Sequence, residues 1–320
     1  MNENKIAKRS AIVRLMIWLV VGVILVGVLC VALMAQGRDS GSILNLGTVN
    51  FFNGEVYADP NSYNVGNRTY SEKVSDIDIS WASGRIDLAV WDGDEVKIEE
   101  SGAGENEDNF MRSKVEGGKL IIKFVKSGRG LFKVYPEKTL KVYLPEDIAN
   151  NLNVLGIDTA SGAVSALGIS AKTVDIDTAS GNVDLEGIFG DIAVDAASAQ
   201  VTIRGTADDV EVSAASGDLD IRGEFNSLEL DAVSGNVIVE TFKTLPVKID
   251  VEAVSGNIAM TLPDIESGFE ATIDTVSGRL TSNIGAGQKL VHGDGIARYD
   301  FESVSGNVNI TVKIIPNTRG

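Results

Sequence analysis

The sequence predicts an all-β protein, a β-solenoid stacked from two-strand repeats of 18–22 residues and preceded by one N-terminal transmembrane helix. Three observations predict it. A phrase centred on Ser-Gly returns at near-constant spacing, apolar residues flank each copy with the period of a strand, and 21 uncharged residues run from Leu15 to Ala35.

The repeat comes first, because an active site is needed once whereas a structural period is needed in every unit. Its corner residues are Ser161-Gly162, Ser180-Gly181, Ser216-Gly217, Ser234-Gly235, Ser255-Gly256, Ser277-Gly278 and Ser305-Gly306. An eighth copy has Ser198 followed by Ala199, and an outlying one, WASGRIDL, has Ser83. From Ser161 to Ser305 the gaps are 19, 18, 18, 18, 21, 22 and 28 residues.

Around each serine, the residue four before it is apolar (Ile157, Ile176, Val194, Val212, Leu230, Val251, Ile273, Phe301), and so is the residue three after it, from Val164 to Val308. These positions are seven apart, an odd number, so in one straight strand they would point to opposite faces. For both to enter one core the chain must turn between them, and glycine permits the backbone such a corner needs. All variation in repeat length falls away from this corner, between the second strand of one unit and the first of the next. A two-strand unit cannot bury its inner face alone, and stacking does so. Serines and asparagines (Asn182, Asn236, Asn257, Asn307) then form columns able to hydrogen-bond along the stack. A β-sandwich of hairpins is the plainer alternative, but it has no reason to repeat one corner eight times.

The residue three before the serine is acidic in seven of eight copies: Asp158, Asp177, Asp195, Asp231, Glu252, Asp274 and Glu302, with Ser213 the exception. Odd in phase to the core, these side chains face outward as a column with about 4.8 Å between neighbours. Adjacent like charges on a sheet repel by roughly 0.2–1 kcal/mol per pair, which a bound cation or cationic peptide would relieve. The bland reading is a solvated face that keeps the strands soluble.

The domain boundaries follow. Residues 1–14 form a cytoplasmic tail, 15–36 the membrane helix, 37–71 an extracellular linker, 72–150 an N-terminal β segment with an inserted charged meander, and 151–315 the Ser-Gly solenoid. About 20 apolar residues cross a bilayer, and Lys5, Lys8, Arg9 and Arg14 before them place the N-terminus in the cytoplasm and the C-terminal domain outside the cell membrane. A cleaved signal peptide is the rival, but its apolar core is shorter. The meander turns from acidic to basic, carrying nine Lys/Arg between Phe110 and Tyr143, and is expected to cap one end of the stack while Pro316 stops pairing at the other.

Beyond the first 36 residues, 24 basic residues stand against 44 acidic ones, a net of −20, which excludes nucleic acid as a partner. The lone cysteine, Cys30, lies in the apolar run, so disulfides do not hold the exported part together. His292 beside Asp294 is the single histidine, with no nucleophile pattern near it, and no catalytic, metal or cofactor-binding residues are identified.

The order of DIDISWASGRIDLAVWDGDEVKIEE, LKVYLPEDIANNLNVLGIDTASGAV, the Ser-Gly-Asn units and MTLPDIESGFEATIDTVSGRL resembles the bacterial "putative adhesin" β-strand-repeat family, a domain of unknown function, over Val74 to Lys313. The resemblance implies a surface-exposed domain, often membrane-tethered. Some members are linked to envelope stress responses and antimicrobial-peptide sensing, and none has agreed catalytic residues. Together these readings point to a non-enzymatic binding or sensing module of the cell envelope, whose partner is a cationic peptide, an envelope component or another protein. A self-assembling structural adhesin is the alternative, and a carbohydrate-active β-helix enzyme is the less favoured one, since an acidic face repels acidic polysaccharides.

Overall fold

The structure, a computed structural model, describes residues 62–102, 104, 107–124 and 137–313. The apolar run of residues 15–35, Cys30 and Pro316 lie outside the described residues, and no helix among those described is long and apolar enough to cross a membrane.

Each Ser-Gly corner joins an incoming strand to an outgoing one, and equivalent residues of successive rungs pair in parallel register. Ser198 pairs with Ser180 and Ser216, and Ser234 pairs with Ser216 and Ser255. The inverted phase is plain in the burial. Val194 before the Ser198 corner and Val201 after it are both buried, as are Leu230 and Val237 on either side of Ser234. The regular strands end at the serine (Val183–Ser198, Val201–Ser216, Leu219–Ser234) and resume at the position three beyond it. At Ser83 and Ser161 the hydrogen-bonded ladder instead runs on through the corner, within Asp76–Trp91 and Leu152–Ser180. Ile79 and Ile86 are nevertheless both buried, so the side-chain phase inverts there too.

Glycine is needed at corners such as Gly235, where the rungs approach backbone to backbone, although the Ser198 corner holds Ala199. Gly235 has φ +137°, and a Cβ on it would lie 2.0 Å from the carbonyl oxygen of Gly217 in the rung beside it. The asparagine column is a ladder of side chain to backbone bonds. Asn236 Oδ1 accepts from the N–H of Asn257, and Asn257 Oδ1 from that of Asn307, each at 3.2 Å. The serines bond more variously than a pure hydroxyl ladder requires. Ser216 Oγ donates to Ser198 Oγ, whereas Ser234 and Ser255 donate to carbonyls of the preceding rung.

Three features depart from simple sequential stacking. Residues 91–150 contribute a full rung as well as a cap: Lys119–Phe124 pairs with the incoming half of the Ser83 rung and Lys138–Pro145 with its outgoing half. At the other end the Ser305 rung sits between its two predecessors, since Ala297–Ser305 pairs on one side with Lys248–Ser255 and on the other with Phe269–Ser277. The final described strand, Val308–Lys313, is therefore internal, flanked by Ile258–Pro263 and Leu280–Ser282. Among the described residues the stack ends at the Ser277 rung, whose strands are covered by the antiparallel Lys289–His292 and Gly285–Gly287. The first rung is likewise covered by Val96–Ser101 and Arg112–Glu116, which run antiparallel to it. Both ends thus hide parallel edges beneath short strands.

One apolar core runs the length of the stack, mostly aliphatic, with Phe189 and Phe225 buried in its middle and aromatic pairs at its ends. Trp81 and Phe124 meet at one end with centroids 5.0 Å apart, and Phe269 stacks on Tyr299 at the other, also at 5.0 Å. The Tyr299 hydroxyl donates to Pro246 O at 3.1 Å.

Candidate functional site: an acidic sheet face

The incoming strands present one outward face, and the parallel register lines up the acidic residues found in the sequence. Asp177 pairs with Asp195, Asp231 with Glu252, Glu252 with Glu302, and Glu302 with Asp274. Asp158 pairs with Ser80 on one side, and Ser213 separates Asp195 from Asp231. The seven acidic residues therefore lie on one surface, with Glu302 and Asp274 exchanging places because of the intercalated rung.

Two residues before each of these, in the same outward phase, stands a second column that the repeat reading passed over. It holds Asp78, Asp175, Glu211, Glu229, Asp250 and Asp300, interrupted by Gly156, Ala193 and Thr272. The signal was present in the sequence as acids at even spacing from the first column. Its three gaps, at Gly156, Ala193 and Thr272, break the period that the serine sets.

Basic residues meet this face along its margin and at the capped end, where Lys123 pairs in register with Ser80 and its charge reaches Asp158. Lys119 Nζ lies 3.4 Å from Asp78, Lys248 Nζ 3.6 Å from Glu229 and 3.5 Å from Asp250, and Arg298 and Lys289 both pair with Glu270. Among the described residues, no Lys or Arg forms an ion pair with Asp177, Asp195, Asp231 or Glu252. The opposite face, on the outgoing strands, is built differently. Arg204 pairs with Asp184, Arg222 bridges Asp220 and Glu240, and Lys313 pairs with Glu240. One face is charge-balanced and the other is not.

The imbalance shows in the proton affinities. Burial against its neighbours, then the charges of Asp158, Asp175 and Asp195, pushes the Asp177 carboxyl up to about 6. Burial, then Asp231, Glu302, Asp250 and Glu229, pushes Glu252 up to about 7. Asp158 and Asp231 are raised for the same reasons, burial first. Among the described residues, no three His, Cys, Asp or Glu side chains converge as a metal site, so this is an extended ladder of charge and not a chelating pocket.

The folded chain therefore holds protons on Asp177 and Glu252 that the unfolded chain, at 3.8 and 4.5, releases. Stability falls as pH rises wherever the native state binds the extra protons, here between about pH 4 and pH 7. The melting temperature is expected to be a few degrees higher at pH 5 than at pH 8, read by calorimetry. Asp177→Asn with Glu252→Gln should flatten that slope, and an unchanged slope would contradict the assignment.

His292 lies away from this face. Its Nε2 is 2.9 Å from Asp264 Oδ1, not bonded to the neighbouring Asp294, and its ring packs against Phe269 at the covered end of the stack.

The molecule is thus a parallel β-solenoid with one acidic face, closed at both ends by antiparallel strands. The chain belongs to the Toastrack DUF4097 family, which it matches over residues 74–311. Among solved structures it is similar to a "putative adhesin" from Bacteroides fragilis, with 17% identity and a TM-score of 0.42 over 79% of this chain and 97% of that one. It is also similar to a "putative lipid binding protein" from Parabacteroides distasonis, with 18% identity and a TM-score of 0.42 over 78% and 97%. A "putative cell adhesion protein" from Clostridium sporogenes aligns at 11% identity with a TM-score of 0.26 over 78% and 100%. Comparison with curated proteins returned no match.

Proposed function

We propose that this protein is a membrane-tethered, non-enzymatic binding module displayed outside the bacterial cell membrane, and that its acidic sheet face takes an extended polycation such as a cationic peptide. The observation that carries this reading is the register of Asp177, Asp195, Asp231 and Glu252 along one face, none of which forms an ion pair with a Lys or Arg among the described residues, against an opposite face whose charges are paired. A polycation with charges spaced along its backbone matches a ladder repeating at about 4.8 Å better than a single metal ion does. The tether rests on the apolar run from Leu15 to Ala35 and the basic residues before it. Assembly end to end, the structural-adhesin alternative, gains no support from ends covered by strands of three to six residues.

The test is binding of full-length protein in detergent to a Lys-rich peptide. Affinity is expected to fall at least about tenfold between roughly 0.05 and 0.5 M salt, as exposed charges are screened. Asp177→Asn, Asp195→Asn and Asp231→Asn together should remove most of the binding while leaving the fold intact. Binding indifferent to salt, or unmoved by the triple change, would rule this face out.

A further inference from the structure

The end of the stack near residue 138 holds a buried pair that the polycation reading does not use. Lys138 is 1% exposed, its side chain not at all, and the Glu100 side chain that it meets is 5% exposed. Around them is an apolar box: Lys138 Nζ lies 3.5 Å from the centroid of Phe124 and 5.0 Å from that of Trp81. The remaining polar contacts are specific. Lys138 Nζ donates to the backbone carbonyl of Asn109 at 2.6 Å and to Glu100 Oε2, and Glu100 Oε1 accepts from the N–H of Met111 at 2.7 Å.

We propose that Lys138 and Glu100 are joined in the mature protein by an isopeptide bond between Nζ and Cδ. Each contact has a part in forming it. A proton passes from the ammonium to Glu100 Oε2, leaving a neutral amine whose geometry is held by the bond to Asn109 O. The amine lone pair attacks Cδ, the Nζ–Cδ bond forms, and the charge that develops on Oε1 is met by the Met111 N–H already pointing at it. A second proton moves from Nζ to Oε2, the Cδ–Oε2 bond breaks, and that oxygen leaves as water. Ammonium and carboxylate give amide and water, with no change of oxidation state and no co-reactant.

The surroundings favour the product. Burial lowers the affinity of Lys138 for its proton, against the opposing pull of Glu100, so the amine is easier to reach than on a surface lysine. The amide is neutral, so it removes two desolvated charges from an apolar site. The bond would tie the capping strand Val96–Ser101 to the start of Lys138–Pro145 in the first rung, across a loop that no cysteine is present to close.

The experiment is intact-mass spectrometry of denatured full-length protein, followed by tryptic mapping. The mass is expected to fall below the sequence value by about 18 Da, the mass of one expelled water. The map should show one branched peptide containing both Glu100 and Lys138, with no cleavage after Lys138. Lys138→Arg keeps the positive charge but removes the nucleophilic amine, and it should show no deficit. The proposal is overturned by a wild-type mass at the sequence value, by a water loss mapped elsewhere, by ammonia loss mapped to Asn109, or by a deficit that persists in Lys138→Arg.

Discussion

Replacing Gly235 with valine is expected to cost about 3 kcal/mol or more and to unfold the middle of the stack first. Two penalties add at that site. A β-branched residue must adopt φ +137°, where L side chains meet their own backbone, and its Cβ would fall 2.0 Å from Gly217 O. The carbonyl cannot retreat, because the N–H of Gly217 donates to Ser234 O at 3.1 Å and the same two rungs pair residue by residue on either side. Rungs couple through nearest-neighbour contacts, so damage to one loosens its neighbours as well. Urea denaturation should show a lower midpoint, with a broadened or split transition. Ala199→Gly, at the one corner that already carries a side chain, should change the unfolding free energy by less than about 1 kcal/mol. Equal effects at the two corners would contradict the close-approach account.

The second large effect is expected at Lys138. Changing it to methionine preserves much of the volume but leaves the Glu100 carboxylate buried without its counter-charge, a loss of about 3–5 kcal/mol. On a domain of this size that lowers the melting temperature by roughly 10 °C. Adding Glu100→Leu to Lys138→Met should recover the share of the loss that comes from the orphaned carboxylate, while the stability contributed by a Lys138–Glu100 cross-link stays lost in both variants. A double variant no better than Lys138→Met alone would mean that the pair works through something other than charge compensation.

These two sites show how unevenly the sequence discloses the molecule. The corner at Gly235 is legible because it recurs. The inward residues before and after Ser-Gly are seven apart, and only a turn between them lets both reach one core, so fold class, corner and outward acids follow from spacing alone. The glycine column at the opposite corner, Gly187, Gly205 and Gly223, was equally periodic, yet it was hidden where insertions blur the later repeats. Lys138 is different. Among nine basic residues between Phe110 and Tyr143, nothing local marks it as the buried one, and its partner stands 38 residues earlier.

What the sequence determined by itself was therefore whatever a local period can encode: strands, corner, core positions and the outward phase of the acids. Tertiary structure alone decided the order of the rungs, with the Ser305 rung slipped between the Ser255 and Ser277 rungs, and the burial of Lys138 against Glu100. The physical reason is that every rung offers nearly the same parallel edge, so the repeat specifies how neighbours pair but not which neighbour is chosen. That choice falls to features that occur once: the loop lengths after Ser255 and Ser277, and the side chains that close each end.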